Sequence, residues 1–263
     1  MALGDVHGHY GHFIELMTSA KVCDSNGTWT AHNTILMQTG DIFDRHPYSF
    51  RVLRTIMNWH QTAPFFGSMC LMNMGNHEAT HIDPRGIVMP TPDGMHPAEI
   101  ERFGGMHQLR SFWFNIHEYG QFLRHLPVIR VIGNSLFVHA GLSPITATEL
   151  NGNISEINEW ALRYFRDRLP IGHYLEMVDD CYWTRELMDH TETEEICMAV
   201  TNSLDWIERF VGFPVVNMVI GHNTKPRLTV VECREGVKDG KLWYIDAGLC
   251  HGRGGYWEQI RDW

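Results

Sequence analysis

Residues 34–45, Thr34-Ile35-Leu36-Met37-Gln38-Thr39-Gly40-Asp41-Ile42-Phe43-Asp44-Arg45, run from an apolar stretch through a glycine into two carboxylates and an arginine. The stretch Thr34 to Gln38 predicts a short buried strand. A glycine at its end lets the backbone turn sharply, so that the next side chain, Asp41, leaves the strand end at a defined angle. The same junction recurs on both sides. Upstream, Met1-Ala2-Leu3 runs into Gly4-Asp5-Val6-His7-Gly8. Downstream, Ser68 to Met74 ends at Gly75-Asn76-His77-Glu78. Val128 to Val138 reads as a hairpin turned by Gly133-Asn134 and ends at His139-Ala140-Gly141. A strand over 215–220 ends at Gly221-His222.

Helical spacing fills the gaps between these strands. Phe13, Leu16, Met17 and Ala20 mark a helix from about His9 to Lys21. Phe50, Leu53, Ile56 and Met57 mark another from Tyr48 to His60. Further helices are expected near 98–110, 111–125, 155–168 and 193–212, and strands at 228–233 and 242–246. Four prolines within 82–97 predict a loop. The alternation places the chain in the α/β class. No linker divides it, so residues 1–263 are expected to form one domain, with a helical and loop insertion at about 82–126 and helices at about 150–212.

Composition narrows the function. With 263 residues, 44% of them hydrophobic, the chain can bury a core and is not disordered. No apolar run approaches the ~20 residues a bilayer span needs. The net charge of −10 argues against nucleic acid as a partner. It leaves an anionic substrate open, because a few cations in a pocket reverse the local field. Cys23, Cys70, Cys181, Cys197, Cys233 and Cys250 follow no pattern, which predicts no disulfide framework and a reducing, cytoplasmic compartment.

Ligands at the carboxyl ends of neighbouring strands converge in space. The strand-end set is Asp5, His7, Asp41, Asn76, His139 and His222. This mixed oxygen and nitrogen set lacks thiolates; it suits two borderline ions such as Mn, Fe or Zn and suits Ca poorly. In a two-metal site one carboxylate bridges ions ~3.5–4 Å apart, and Asp41, central in the order, is the expected bridge. The competing reading makes these residues turn glycines, helix caps and loop histidines; five such junctions in order weigh against it.

The blocks Gly4–Gly8, Gly40–Arg45, Gly75–Glu78, His139-Ala140-Gly141-Leu142-Ser143-Pro144 and Gly221-His222 resemble the signature of the calcineurin-like metallophosphoesterases. More narrowly they are similar to the phosphoprotein phosphatase (PPP) group and its Shewanella-like branch, with Trp183-Thr184-Arg185 and Ile220–Thr224 matching that branch. The resemblance runs from Leu3 to about Gly255. It implies a sandwich of two mainly mixed sheets flanked by helices, with a dinuclear metal site at the strand ends. One metal would take Asp5, His7 and bridging Asp41; the other would take Asp41, Asn76, His139 and His222. His77 would be the general acid with Asp44 as its partner, and Arg45 and Arg185 would clamp phosphate. For Arg185 the alternative is an exposed helix residue paired with Glu186, with Arg85 and Arg110 next in line as the clamp.

The chain departs from the family pattern in three places. His46 stands where the family has Gly after Asp-Arg, and Ala140 replaces a frequent Gly, as in related bacterial dinucleotide hydrolases. Only three residues precede Gly4, so a fragment or a late gene start is expected.

The implied chemistry is in-line hydrolysis of a phosphate monoester by a hydroxide bridging the two ions. The implied substrate is a phosphoserine, phosphothreonine or phosphotyrosine protein or peptide, or a small phosphoester. The rival readings are a dinucleoside tetraphosphate hydrolase on the same site and a catalytically inactive binding module. No P-loop and no Gly-x-Ser-x-Gly elbow occurs. His81 is expected to be structural, and His9, His12, His117, His125 and His251 to occupy surface or loop positions. Asp246 is expected behind the ligands, and the aromatic stretch Phe103–Leu126 either walls the site or packs the insertion.

Overall fold

The structure, a computed structural model, describes residues 1–86, 93–114, 118–189, 193–234 and 236–249. The first half contains β1 (Ala2–Leu3), α1 (Tyr10–Ser19), β2 (Ile35–Gln38), α2 (Ser49–Thr62), β3 (Met69–Met72), α3 (Asn76–Ile82), α4 (Pro97–Arg102), α5 (Met106–Phe114) and α6 (Glu118–Arg124). The second half contains β4 (Ile129–Ile132), β5 (Ser135–Val138), α7 (Pro144–Glu149), α8 (Ile154–Phe165), α9 (Tyr174–Trp183), α10 (Glu186–Asp189), α11 (Thr193–Val211), β6 (Asn217–Ile220), β7 (Thr229–Cys233) and β8 (Gly240–Tyr244).

The strands form two sheets. β1, β2 and β3 pair in parallel in that order, which requires crossovers, and α1 and α2 supply them. The second sheet is mixed, in the order β4-β5-β6-β8-β7, with antiparallel pairs at both edges. Alternation along each strand divides the core. Met37, Phe137 and Val219 point between the sheets, joined by Ala2, Leu71, Ile132, Trp243 and Ile245. Their neighbours Leu36, Leu136, Met218 and Leu242 point outward under helices. Phe13 of α1 and Val52, Ile56 and Trp59 of α2 belong to this outer core, as do Val200, Leu204 and Ile207 of α11. The expected α/β sandwich of two sheets flanked by helices is the fold that forms, except that the three-stranded sheet is parallel throughout and only the five-stranded one is mixed.

Several elements differ from the sequence expectation. The two helices expected over 98–125 are three, α4, α5 and α6. Gly104 and Gly105 adopt φ of 83° and 114°, which ends α4 and restarts the chain as α5. Residues 87–92 of the expected loop and 115–117 of the expected second helix lie outside the described residues, as do His117, Cys250 and His251. α7 and α9 were not expected. α7 starts on a Ser143 side chain that accepts the Thr146 N–H, with Pro144 in the first turn. Cys197 of α11 and Cys233 of β7 form a disulfide across 36 residues, which the irregular cysteine spacing did not foreshadow. Among the described residues, no helix is long and apolar enough to cross a membrane.

Candidate metal centre

All six expected ligands come together. Asp5, His7, Asp41, Asn76, His139 and His222 are buried, none more than 6% exposed. His7 Nδ1 lies 2.8 Å from the Phe43 carbonyl and His139 Nδ1 lies 3.1 Å from that of Thr39. A carbonyl only accepts, so Nδ1 carries the hydrogen in both rings and Nε2 is turned inward. His7 Nε2 stands 3.7 Å from Asp5 Oδ2 and 3.8 Å from Asp41 Oδ2. His139 Nε2 stands 3.0 Å from Asn76 Oδ1 and 3.3 Å from Asp41 Oδ2. These are acceptors facing acceptors, an arrangement that calls for a proton or a metal ion between them. Among the described residues, His222 Nε2 is buried with no hydrogen-bond partner. The donor set therefore fits a pair of divalent ions.

Two groups of ligand atoms, each within 4.8 Å of one another, are His7, Asp41, His77 and Asp41, His139, His222. Asp41 belongs to both, the position expected of a bridge. His77 joins the first group because its Nε2 lies 3.7 Å from Asp41 Oδ2.

Electrostatics agree with this geometry. Burial lowers His7 to about 3, helped by His77, and lowers His222 to about 3, helped by His139, so both rings are neutral with lone pairs available. Burial raises the Asp5 carboxyl well above its ordinary value, with Asp246 and then Asp41 adding to the rise. Burial also raises Asp41, but His139 and His77 outweigh it and hold that carboxyl well below the ordinary range.

The backbone is strained at the same place. Nine non-glycine described residues have positive φ, and five of them are His7 (45°), Asp41 (60°), Asp44 (73°), Arg45 (63°) and His222 (55°). Left-handed backbone costs about 1–2 kcal/mol per residue, and it persists only where surrounding structure imposes it. Two of the strand-end glycines explain how. A Cβ on Gly40 would lie 2.6 Å from Gly75 Cα, and one on Gly221 would lie 2.3 Å from Asp5 Oδ1. The Gly40 turn packs against the Gly75 backbone and the Gly221 turn against the Asp5 carboxylate, which brings their ligands together.

His77 and Asp44 pair as expected, Nδ1 to Oδ2 at 2.7 Å. The other Asp44 oxygen meets His81 Nε2 at 2.8 Å, a bond the sequence reading did not identify. Burial raises Asp44, but His81 and His77 outweigh it and hold the carboxyl well below its usual range. Burial lowers His77, but Asp41 and Asp44 outweigh it and raise the ring. Arg45 Nε lies 3.4 Å from Asp93. Arg185 reaches the centre, where its Nη1 donates to the His222 carbonyl at 3.3 Å, and the Trp183 ring stands edge-on to His222 at 6.2 Å. The fallback clamps are engaged elsewhere: Arg85 by the Asp83 carboxylate, Arg110 by the Gly86 carbonyl. Behind Asp5, the Thr224 hydroxyl donates to Asp246.

Glu78 closes the Gly75–Glu78 block in the sequence, and the structure gives it a role of its own. Its Oε2 accepts the N–H groups of Asp41 (2.7 Å) and Gly75 (3.0 Å), and its Oε1 accepts that of Ile42 (2.9 Å). Burial, then Asp41, push its carboxyl up to about 7 against the Asp41 and Ile42 N–H groups and His139. The signal was present, since Glu three residues after the Gly75 cap is the acidic half of a capping box.

A family model described as calcineurin-like phosphoesterase matches residues 1–222. An uncharacterized protein of Schizosaccharomyces pombe is 29% identical over 262 residues, covering 95% of this chain and 72% of that protein. Shewanella-like protein phosphatase 1 of Plasmodium berghei is 28% identical over 237 residues, covering 86% of this chain and 61% of that protein. Among solved structures, a cold-active protein-tyrosine phosphatase of a psychrophilic Shewanella species superposes with a TM-score of 0.76 at 24% identity, covering 97% of this chain and 72% of that one.

Proposed function

Because the chain belongs to the calcineurin-like phosphoesterase family, we propose that it is a metal-dependent phosphatase acting on phosphorylated serine, threonine or tyrosine in proteins or peptides. The observation that carries this reading is the sharing of Asp41 between two buried ligand groups. The protein-phosphatase names of its relatives support the substrate class.

Asp5, His7 and Asp41 would hold one ion, and Asp41, Asn76, His139 and His222 the other, with Mn, Fe or Zn the candidates. When bound, such ions neutralise phosphoryl oxygens and lower the pKa of water. Arg45 and Arg185 bind and orient the phosphate through charge-assisted bonds, the planar fork gripping two oxygens together. His77 holds the proton that the leaving oxygen takes up as its bond to phosphorus breaks. Asp44 fixes the ring through Nδ1 and favours its charged form. His81 steadies Asp44 from the other side. The Cys197–Cys233 bond favours an oxidising compartment over the cytoplasm expected from cysteine spacing.

The test is turnover of para-nitrophenyl phosphate with added Mn, followed by phosphopeptides and dinucleoside tetraphosphate side by side. No Mn-stimulated turnover by a chain shown to carry two ions would sink the phosphatase reading. Preference for the dinucleotide would move it to the nucleotide hydrolase that Ala140 hints at.

A further inference from the structure

β3 and β4 are edge strands of their two sheets, tied where the Met74 N–H donates to the Pro127 carbonyl (2.9 Å) and Asn73 Nδ2 to that of Phe137 (2.9 Å). At this edge, bordered by α2 and α6, lies a cavity of about 380 Å³. None of the candidate metal ligands or phosphate clamps lines it. Its apolar wall includes Met57, Leu71, Met72 and Phe122, and its charged members are Arg130 and Glu118.

Arg130 is out of place by pattern. It lies opposite Phe137 in the β4–β5 register, and directly opposed residues share a face. That face is the inter-sheet layer filled by Phe137, Met37 and Val219, with Ile132 two residues further along β4. An apolar residue is expected there, yet a guanidinium enters the slot. Among the described residues its Nε is buried without a hydrogen-bond partner, and burial lowers the pKa of the group. A buried donor left unpaired is costly, so the position fits an acceptor that arrives from outside.

We propose that this pocket binds a small apolar monocarboxylate, with its carboxylate on Arg130 and its hydrocarbon against Met57, Leu71 and Phe122. The planar guanidinium matches a carboxylate bidentately. Glu118 lines the same pocket and disfavours a second negative charge on the ligand.

The test titrates the metal-loaded chain with hexanoate by calorimetry, in the presence of saturating inorganic phosphate to fill the catalytic centre. One saturable site is expected. Arg130→Met should weaken it by about 10- to 150-fold, the loss of one charge-assisted contact. Para-nitrophenyl phosphate turnover should be unchanged, and without hexanoate the variant should unfold at a higher temperature than the parent. Adipate, with its second carboxylate, should bind more weakly than hexanoate. Arg130→Gln repeats the comparison if the Met variant is not folded. Absence of saturable binding, displacement of hexanoate by phosphate, or equal affinity in the variants overturns the proposal. So does tighter binding of adipate. An Arg130→Met chain that unfolds at a lower temperature shows a packing role instead.

Discussion

Glu78→Gln is the perturbation that tests how the centre is framed. The carboxylate receives three buried N–H groups, two on Oε2 and one on Oε1. A glutamine has one acceptor oxygen. In its better orientation that oxygen takes the place of Oε2 and keeps Asp41 and Gly75, while the amide NH2 faces the Ile42 N–H. One hydrogen bond to a charged group is then lost, worth about 1.5–3 kcal/mol. Truncation to alanine would strand all three donors at about 1–3 kcal/mol each. That is comparable with a whole domain's margin of about 5–15 kcal/mol, so glutamine is the informative change. The second consequence is local. Asp41 keeps its backbone anchor, yet Ile42 beside it would shift, and metal affinity should fall about 10- to 100-fold, the usual scale for outer-sphere partners. The assay is urea unfolding of metal-stripped chain, paired with a Mn titration of the folded chain. A stability change under about 0.5 kcal/mol with unchanged Mn affinity would refute the reasoning, because surface substitutions alone do that.

Four further outcomes are expected. His77→Asn should lower kcat by about 100- to 10,000-fold with both metals retained, and less for an activated aryl ester; equal losses on alkyl and aryl esters would assign His77 to positioning. Arg185→Lys should lower kcat/KM about 10- to 150-fold and weaken inhibition by phosphate in parallel, whereas wild-type values in both would return Arg185 to a surface role. Burial raises the Glu99 carboxyl above its ordinary 4.5, outweighing the Phe50 and Ser49 N–H groups it accepts. A raised folded pKa gives stability that is full below 4.5 and fades as pH rises. The stability of the parent minus that of Glu99→Gln, measured by urea unfolding, should therefore shrink from pH 4.5 upward; a growing difference contradicts it. Reducing Cys197–Cys233, which closes a 36-residue loop, should cost about 4 kcal/mol on the chain-entropy scale. An unchanged urea midpoint in reductant, with free thiols counted, would show that the bond contributes nothing.

The parts of the fold that the sequence disclosed were those with a short-range physical cause. Strand-end glycines were legible because the Gly75 backbone at Gly40 and the Asp5 side chain at Gly221 leave no room for a Cβ, and the ligands follow these glycines directly. The Gly133-Asn134 hairpin was legible because its turn is local, with Ile132 paired to Ser135. What stayed hidden depended on distant partners. α9 shows little beyond its tertiary contacts, since the Ala140 N–H binds the Cys181 carbonyl from across the molecule. Arg185 was placed only by resemblance; nothing in its spacing announces that it would meet the His222 carbonyl. The Cys197–Cys233 pair has no sequence motif because a helix and an edge strand bring it together. His81 and Glu78 were within reach of the sequence, one turn and one residue beyond His77, but their partners lie on the other strand-end loop.

That loop, residues 39–45, organises the centre more than any single ligand does. The Thr39 carbonyl orients His139, and the Phe43 carbonyl orients His7. Asp41 supplies the shared carboxylate and accepts the His77 N–H at 3.0 Å, while Asp44 holds the His77 ring. Three of the five left-handed site residues, Asp41, Asp44 and Arg45, lie in it. A conformation so costly needs external support, and Glu78 provides it by holding two consecutive N–H groups of the loop. Ligand orientation, phosphate binding and proton donation therefore pass through one short strained segment. Substitutions in this segment and at Glu78 share partners, so their effects should not add.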